Sequence, residues 1–216
     1  MKLVKTAVLF SGAMLACAAN AATQNWSGPY VGVNAGLSVY SPTFHDPQYN
    51  HSGSEDGEND FNAEVGAQAG YNWQSSALVY GLEADIQYHN NTSDGQTNCT
   101  GNTSYYSSEA KWSGSVRGRV GVAVDQALVY LTAGPAWMRA NHTYRDCSNY
   151  GTTTKDFFGV ELGAGVDIAL QRNMSARIEA LYYQMSEEKM RHPQASETYG
   201  LEPAGTMVRA GLNWKF

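Results

Sequence analysis

The histidine side chains are the first groups in this sequence that could do chemistry, because imidazole binds metals and haem and transfers protons near neutral pH. All five lie in or beside polar segments, at His45, His51, His89, His142 and His192. No two have the spacing of ligands on a helix, so we predict no metal site and no cofactor. A haem or metal held by converging histidines is the alternative.

Enzymatic activity would need a nucleophile, a base and an orienting group that converge in space. His89 and His142 are the nearest candidates for the base of a lipid-modifying enzyme, and neither lies in a recognisable acyl-transfer motif. We therefore predict that the protein is not an enzyme, and keep the lipid-modifying enzyme as the second alternative.

Carboxylates are concentrated in residues 41–62, which contain no Lys or Arg. Such a segment could attract divalent cations or basic partners, although it lacks the spacing of a calcium loop. A solvated acidic surface accounts for it equally well. The carboxylates are Asp46, Glu55, Asp56, Glu58 and Asp60.

The composition excludes two broad classes of protein. Of the 216 residues, 43% are hydrophobic and 16% charged, with 14 Tyr, which is not the composition of a disordered chain. The formal net charge is -6 and no Lys/Arg-rich run is present, so we predict no nucleic-acid partner.

The first 21 residues have the pattern of a secretory signal peptide. Lys2 and Lys5 precede an apolar stretch, and the small residues Ala19 and Ala21 flank the expected cleavage site. The mature domain is then residues 22–216. Its only cysteines, Cys99 and Cys147, would meet an oxidising envelope, so we predict a disulfide between them, with two free thiols as the alternative.

Eight segments alternate between apolar and polar residues with a period of two, the pattern of a β-strand with unlike faces. Pro135 makes the fifth ambiguous, because proline belongs at an edge or a bulge. The segments are residues 30–40, 63–74, 78–88, 111–124, 127–138, 158–168, 175–182 and 207–216.

Short turns and long polar connections alternate strictly between these strands. The long connections are residues 41–62, 89–110, 139–156 and 184–203. This layout predicts an all-β fold, an eight-stranded antiparallel up-and-down transmembrane β-barrel with four long extracellular loops. A secreted ligand-binding barrel would also alternate, with its apolar residues pointing inward.

Aromatic residues favour the transmembrane barrel over the secreted one. On the apolar faces they fall at both ends of the strands, with Val, Leu, Ile and Ala between, and two aromatic girdles suit lipid headgroups. The girdle at the short turns comprises Tyr71, Trp73, Tyr80, Trp214 and Phe216, and the girdle at the long loops comprises Tyr88, Trp112, Phe158 and Tyr182.

The polar face must then point into a lumen about wide enough for its own side chains. We predict a paired network of buried charges and no wide pore, with an ion pathway or gate as the alternative. The predicted network comprises Glu64, Glu83, Asp85, Arg117, Arg119, Glu161, Arg177, Glu179 and Arg209, with Asp167 and Lys215 on the same face.

Several of these strands resemble the opacity-type surface-antigen family of Gram-negative outer-membrane β-barrels, over residues 26–216. The segments that carry the resemblance are WSGPYVGVNAG from Trp26, GAQAGYNWQ from Gly66, LVYGLEADIQY from Leu78, SVRGRVGVAV from Ser115, LVYLTAGPAW from Leu128, GVELGAGVDIAL from Gly159 and VRAGLNWKF from Val208. The resemblance implies that Trp214 and Phe216 form an assembly signal for the barrel-insertion machinery.

We therefore predict a structural and surface-exposed barrel in the cell outer membrane. Its expected partners are outer-membrane lipid, lipopolysaccharide, the barrel-assembly machinery and a host or surface ligand bound through the loops. The main alternative, which the resemblance also includes, is a loop-based adhesin or receptor for haem or another ligand.

Overall fold

The computed structural model describes residues 24–40, 43–46, 51–54, 61–90, 93–99, 102–146, 149–186, 188–191 and 198–216. The predicted signal peptide and Cys147 lie outside them. The described strands are β1 (Gly28–Tyr40), β2 (Thr43–Asp46), β3 (His51–Ser54), β4 (Phe61–Ser75), β5 (Leu78–Asn90), β6 (Ser93–Cys99), β7 (Asn102–Val124), β8 (Ala127–Asp146), β9 (Asn149–Gln171), β10 (Met174–Met185), β11 (Glu188–Arg191), β12 (Thr198–Glu202) and β13 (Ala204–Lys215). The described part contains no helix long and apolar enough to cross a membrane.

Eight long strands close into an antiparallel barrel, which confirms the predicted fold. Their order around the wall is β1, β4, β5, β7, β8, β9, β10 and β13, and the first and last of these pair with each other. Apart from strands inside the connections, neighbours in the chain are neighbours in the barrel.

Three tight turns define one end of the barrel, which we call the turn end; the opposite end is the loop end. Two of these turns begin with a residue in the left-handed region, Ser76 with φ of 57° and Asp125 with φ of 52°. A positive φ at the first turn residue is typical of two-residue hairpins, because it matches the twist of the flanking strands.

The long connections contain strand structure that the sequence did not predict. Strands β8 and β9 continue through most of the predicted third loop, and residues Arg145 and Tyr150 still pair. In the second connection, β6 pairs with the beginning of β7. The first and fourth connections combine in a separate four-stranded sheet of order β11, β12, β2, β3.

Pro135 lies in the middle of β8, not at an edge. It pairs with Val160 of β9, but the ladder toward β7 has no pairs at residues 134 and 135. Because proline has no N–H, this interruption is the local consequence of its position.

Candidate functional site

A layer of charged side chains fills the middle of the lumen, and strand register places opposite charges directly beside one another. Glu83 faces Arg117, Asp167 faces Arg177, and Glu179 faces Arg209 across adjacent strands. The N···O distances are 2.8 Å for the first two pairs and 2.7 Å for the third. All six side chains are buried.

Further ion pairs cross the lumen. Arg177 reaches Glu83 at 2.6 Å although β10 and β5 lie four strands apart around the wall. Arg209 lies 3.4 Å from Asp85, and Arg119 lies 2.9 Å from Asp167. These contacts tie strands that share no backbone hydrogen bonds, so the charged layer connects opposite walls of the barrel.

Two tyrosines that were missed at the level of sequence complete this layer. Tyr30 donates to Glu83 at 2.5 Å and accepts from Arg119 at 3.0 Å. Tyr130 donates to Glu179 at 2.9 Å, and its ring centroid lies 3.8 Å from the Arg119 guanidinium carbon. The alternation of the strands could have indicated their inward direction. Tyr30, for example, lies on the same face of β1 as Asn34.

The carboxylates nearer the loop end are less fully paired. Glu161 lies 3.2 Å from Arg117 Nη1 and is 3.4 Å from the Ser115 hydroxyl. Glu64 lies 3.4 Å from Nδ1 of His89, and neither of its oxygens has a hydrogen-bond partner in the described structure. The same imidazole contacts the Ser113 hydroxyl through Nε2 at 2.7 Å.

Apolar side chains lie inside the lumen at both ends of the charged layer, which the assignment of a uniformly polar inner face did not anticipate. The cluster at the turn end comprises Trp26, Val79, Ala123, Leu128, Tyr130 and Ala169, and the cluster at the loop end comprises Ala136, Met138, Ala140, Phe157, Leu181, Tyr183, Met185 and Met207. The charged layer is therefore enclosed between two apolar ones.

Residues before β1 cross the turn end of the barrel. The Trp26 amide donates to Gln74 at 2.7 Å, and the Gln74 amide donates to Ser27 at 2.9 Å. Lys215 lies at this rim and donates to the Asn25 carbonyl, outside the charged layer. Trp26 is thereby held as the outermost part of the turn-end cluster.

The outer surface is apolar. Its exposed residues include Val33, Leu82, Val116, Leu162 and Ile178 in the middle of the wall. Aromatic residues lie toward both ends of the barrel. At the turn end, the Trp73 ring stacks on Tyr80 with 5.7 Å between ring centroids and lies 4.7 Å from the Tyr71 ring. At the loop end, Tyr88 and Trp112 meet edge to face at 5.1 Å. The remaining predicted girdle residues, Phe158, Tyr182, Trp214 and Phe216, are also exposed.

An exposed ion pair lies level with the loop-end aromatic pair, because Arg139 is the register partner of Trp112. Arg139 faces Asp156 across β8 and β9, with N···O distances of 2.7 and 2.9 Å. Hydrogen bonds from the guanidinium lower the pKa of the Asp156 carboxyl.

The predicted loop chemistry lies mostly beyond the described side chains. Cys147 and His192 are outside the described residues. The backbone is described at Cys99, His45, His51 and His142, whose side chains are not. Among the described residues, no group of three His, Cys, Asp or Glu side chains could hold a metal ion.

Comparison with known proteins places this barrel among outer-membrane proteins. The sequence profile of the outer membrane protein beta-barrel domain matches residues 8–216. The 31 kDa outer-membrane immunogenic protein of Brucella melitensis is 31% identical over 205 residues, which cover 90% of this chain and 85% of that protein. The 22 kDa outer membrane protein of Rhizobium leguminosarum is 32% identical over 149 residues, covering 68% and 63%. The outer membrane protease OmpT from Escherichia coli shares the fold with a TM-score of 0.54 and 8% identity, covering 88% and 97%.

Proposed function

Because the chain belongs to the outer membrane protein beta-barrel domain family, we propose that it is a structural, surface-exposed barrel whose charge-filled lumen contains no wide pore. Its location is the outer membrane, as for the Brucella and Rhizobium relatives. We propose that residues 1–21 direct export and are then removed. The surface role needs no cofactor and no catalytic step.

One observation supports the proposal that the lumen is closed. Among the described residues, the largest fully buried side chains are Arg117, Arg177 and Arg209, and each forms ion pairs with carboxylates of more than one strand. Removing charges from water is costly unless they are paired, so the layer favours a fixed packing over a water-filled channel. The apolar cluster at the turn end further excludes water from the charged layer on that side.

The test of the closed lumen is conductance in a planar bilayer. We expect the purified protein to give no sustained steps of the size of a wide diffusion pore. Arg177→Ala, which opens space beside Glu83 and Asp167, should raise conductance, whereas Arg139→Ala outside the lumen should not. Wide-pore steps from the unaltered protein would contradict the proposal.

We further propose that the four long connections face the exterior and contact a host or surface ligand, while lipid and lipopolysaccharide surround the aromatic girdles. Outer-membrane barrels generally have short periplasmic turns and longer outer loops. Trp214 and Phe216 are proposed to engage the barrel-assembly machinery. A bridge between Cys99 and Cys147 remains a prediction, which counting alkylated thiols before and after reduction would test.

Surface labelling of intact cells tests the orientation. In a chain with Cys99 and Cys147 replaced by Ser, Lys155→Cys at the loop end should react with a maleimide that cannot cross the membrane. Ser76→Cys at the turn end is the matched control and should react only after permeabilisation. The reverse pattern would refute the orientation.

A further inference from the structure

Three buried polar side chains near the loop end form a relay that the charged layer does not include. Ser113 Oγ lies 2.7 Å from Nε2 of His89, and Nδ1 of the same ring lies 3.4 Å from Glu64 Oε2. With its hydrogen on Nδ1, the imidazole accepts a hydrogen bond from the Ser113 hydroxyl through Nε2, and its Nδ1 lies beside the Glu64 carboxylate without a hydrogen bond in this structure. Serine, histidine and carboxylate in this order are also the groups of serine-type acyl-transfer sites.

The register of three neighbouring strands creates the arrangement. Glu64 of β4 directly faces His89 of β5, and Ser113 of β7 faces Gln87, two residues from the histidine on the same face. Because the three residues are far apart in the chain, they form no recognisable sequence motif. Ser115, the next inward serine on β7, bonds instead to Asp85 at 2.5 Å.

The other half of the lumen is lined by buried apolar side chains at this end. The loop-end cluster comes from β8, β9, β10 and β13, whereas the relay comes from β4, β5 and β7. Three of the cluster's side chains, Met138, Met185 and Met207, belong to the adaptable methionine type, which fills and reshapes apolar spaces. A substrate here would place a reacting carbonyl beside Ser113 and an apolar chain against the methionines.

We propose that Ser113, His89 and Glu64 hydrolyse esters of apolar acyl groups that enter the lumen from the loop end. Ser113 Oγ bonds to the ester carbonyl carbon while its proton passes to His89 Nε2. The bond from carbon to the alkoxy oxygen then breaks, and Nε2 returns the proton to that oxygen. Water next attacks the acyl carbon and gives its proton to Nε2. The bond from the acyl carbon to Ser113 Oγ then breaks, Nε2 returns the proton to Oγ, and the carboxylic acid leaves.

Gln87 is the side chain positioned to stabilise the developing oxyanion. It faces Ser113 directly, its Oε1 is buried without a hydrogen-bond partner in the described structure, and its Nε2 makes one long bond of 3.3 Å to Asp85. The amide can therefore turn toward the substrate without losing a strong interaction. Glu64 acts through His89 and is a positioning residue.

This activity is additional to the proposed surface role, and either can fail without the other. The first test treats the folded, full-length protein in detergent with a fluorophosphonate, which phosphonylates activated serines, followed by peptide mapping. We expect modification at Ser113 and none at Ser115, the matched control on the same strand. Absence of modification at saturating probe, or equal modification of both serines, would overturn the proposal without any variant.

The second test measures hydrolysis of p-nitrophenyl esters of increasing acyl length, and separately of phospholipid in mixed micelles, which distinguishes small esters from lipid as the source of the acyl group. Ser113→Ala and His89→Gln should lower the rate about 10²- to 10⁴-fold, while Ser115→Ala should leave it unchanged. Glu64→Gln should lower it and Glu64→Asp should restore part of it. Heat-modifiable gel migration verifies the folding of each variant, and a rate insensitive to Ser113→Ala would refute the site.

Discussion

The guanidinium of Arg177 lies 2.6 Å from the carboxylate of Glu83 on the opposite wall of the lumen. The same arginine contacts Asp167 of the adjacent strand at 2.8 Å, so one side chain connects β5, β9 and β10. A barrel wall is held by hydrogen bonds between neighbours only, and this contact adds a restraint across its width.

Replacing Arg177 by Ala should strongly destabilise the barrel. The substitution leaves the carboxylates of Glu83 and Asp167 buried with fewer partners, and breaking a buried ion pair in this way costs about 3–5 kcal/mol. The measurement is the free energy of unfolding in urea with phospholipid vesicles. Arg139→Ala is the matched control, because its pair with Asp156 is exposed and should matter far less. Equal effects from the two substitutions would show that the crossing contact contributes little.

The alternation of apolar and polar residues predicts which face carries charge in the strands that contain charged residues. Glu83 and Arg117, for example, share the polar parity of their strands, and that parity defines the inner face once the barrel closes. The contact between Arg177 and Glu83 could not be predicted, because it depends on how far each strand is staggered around the closed wall. The relay of Glu64, His89 and Ser113 could not be predicted from the sequence for the same reason.

The apolar residues on the inner face depart from the simple alternation of apolar and polar positions that predicts the two faces. Tyr183 and Met185 continue the face of Arg177 and Glu179, so their inward direction could have been inferred. The strands within the long connections have weaker signals. Gly, Asn, Ser and Thr are frequent in the first three of these segments, and pairing depends on partners remote in the chain.

Two adjacent phenylalanines provide a direct test of the inner and outer faces. Phe157 is 0% exposed in the loop-end cluster, whereas Phe158 is 66% exposed on the outside. Phe157→Ala should lower the free energy of unfolding by about 3–5 kcal/mol, because it leaves a cavity. Phe158→Ala should cost less, since lipid fills the vacated space. Urea titration in vesicles compares the two, and a larger loss at Phe158 would mean that the faces are reversed.

Tyr130 allows the hydroxyl group to be tested apart from the ring. Tyr130→Phe removes the hydrogen bond to Glu179 but keeps the ring beside Arg119. We expect a loss of about 1.5–3 kcal/mol, the range for hydrogen bonds to charged groups. Tyr80→Phe on the outer face serves as the control in the same unfolding measurement. A loss no larger than that of Tyr80→Phe would mean that the bond to Glu179 is energetically neutral.

The cost of placing a charge on the outer face should depend on its depth within the membrane. Leu162 and Leu170 both lie on the outer face of β9 and are 51% and 52% exposed, but Leu162 is near the middle of the wall and Leu170 is beside the turn end. An arginine costs about 2–4 kcal/mol at the midplane of the lipid and about 0–1 kcal/mol near its edge. Leu162→Arg should therefore destabilise the folded protein in vesicles much more than Leu170→Arg. Because the two leucines are equally exposed, burial within the protein cannot produce the difference, and equal losses would contradict a hydrocarbon layer around the middle of this barrel.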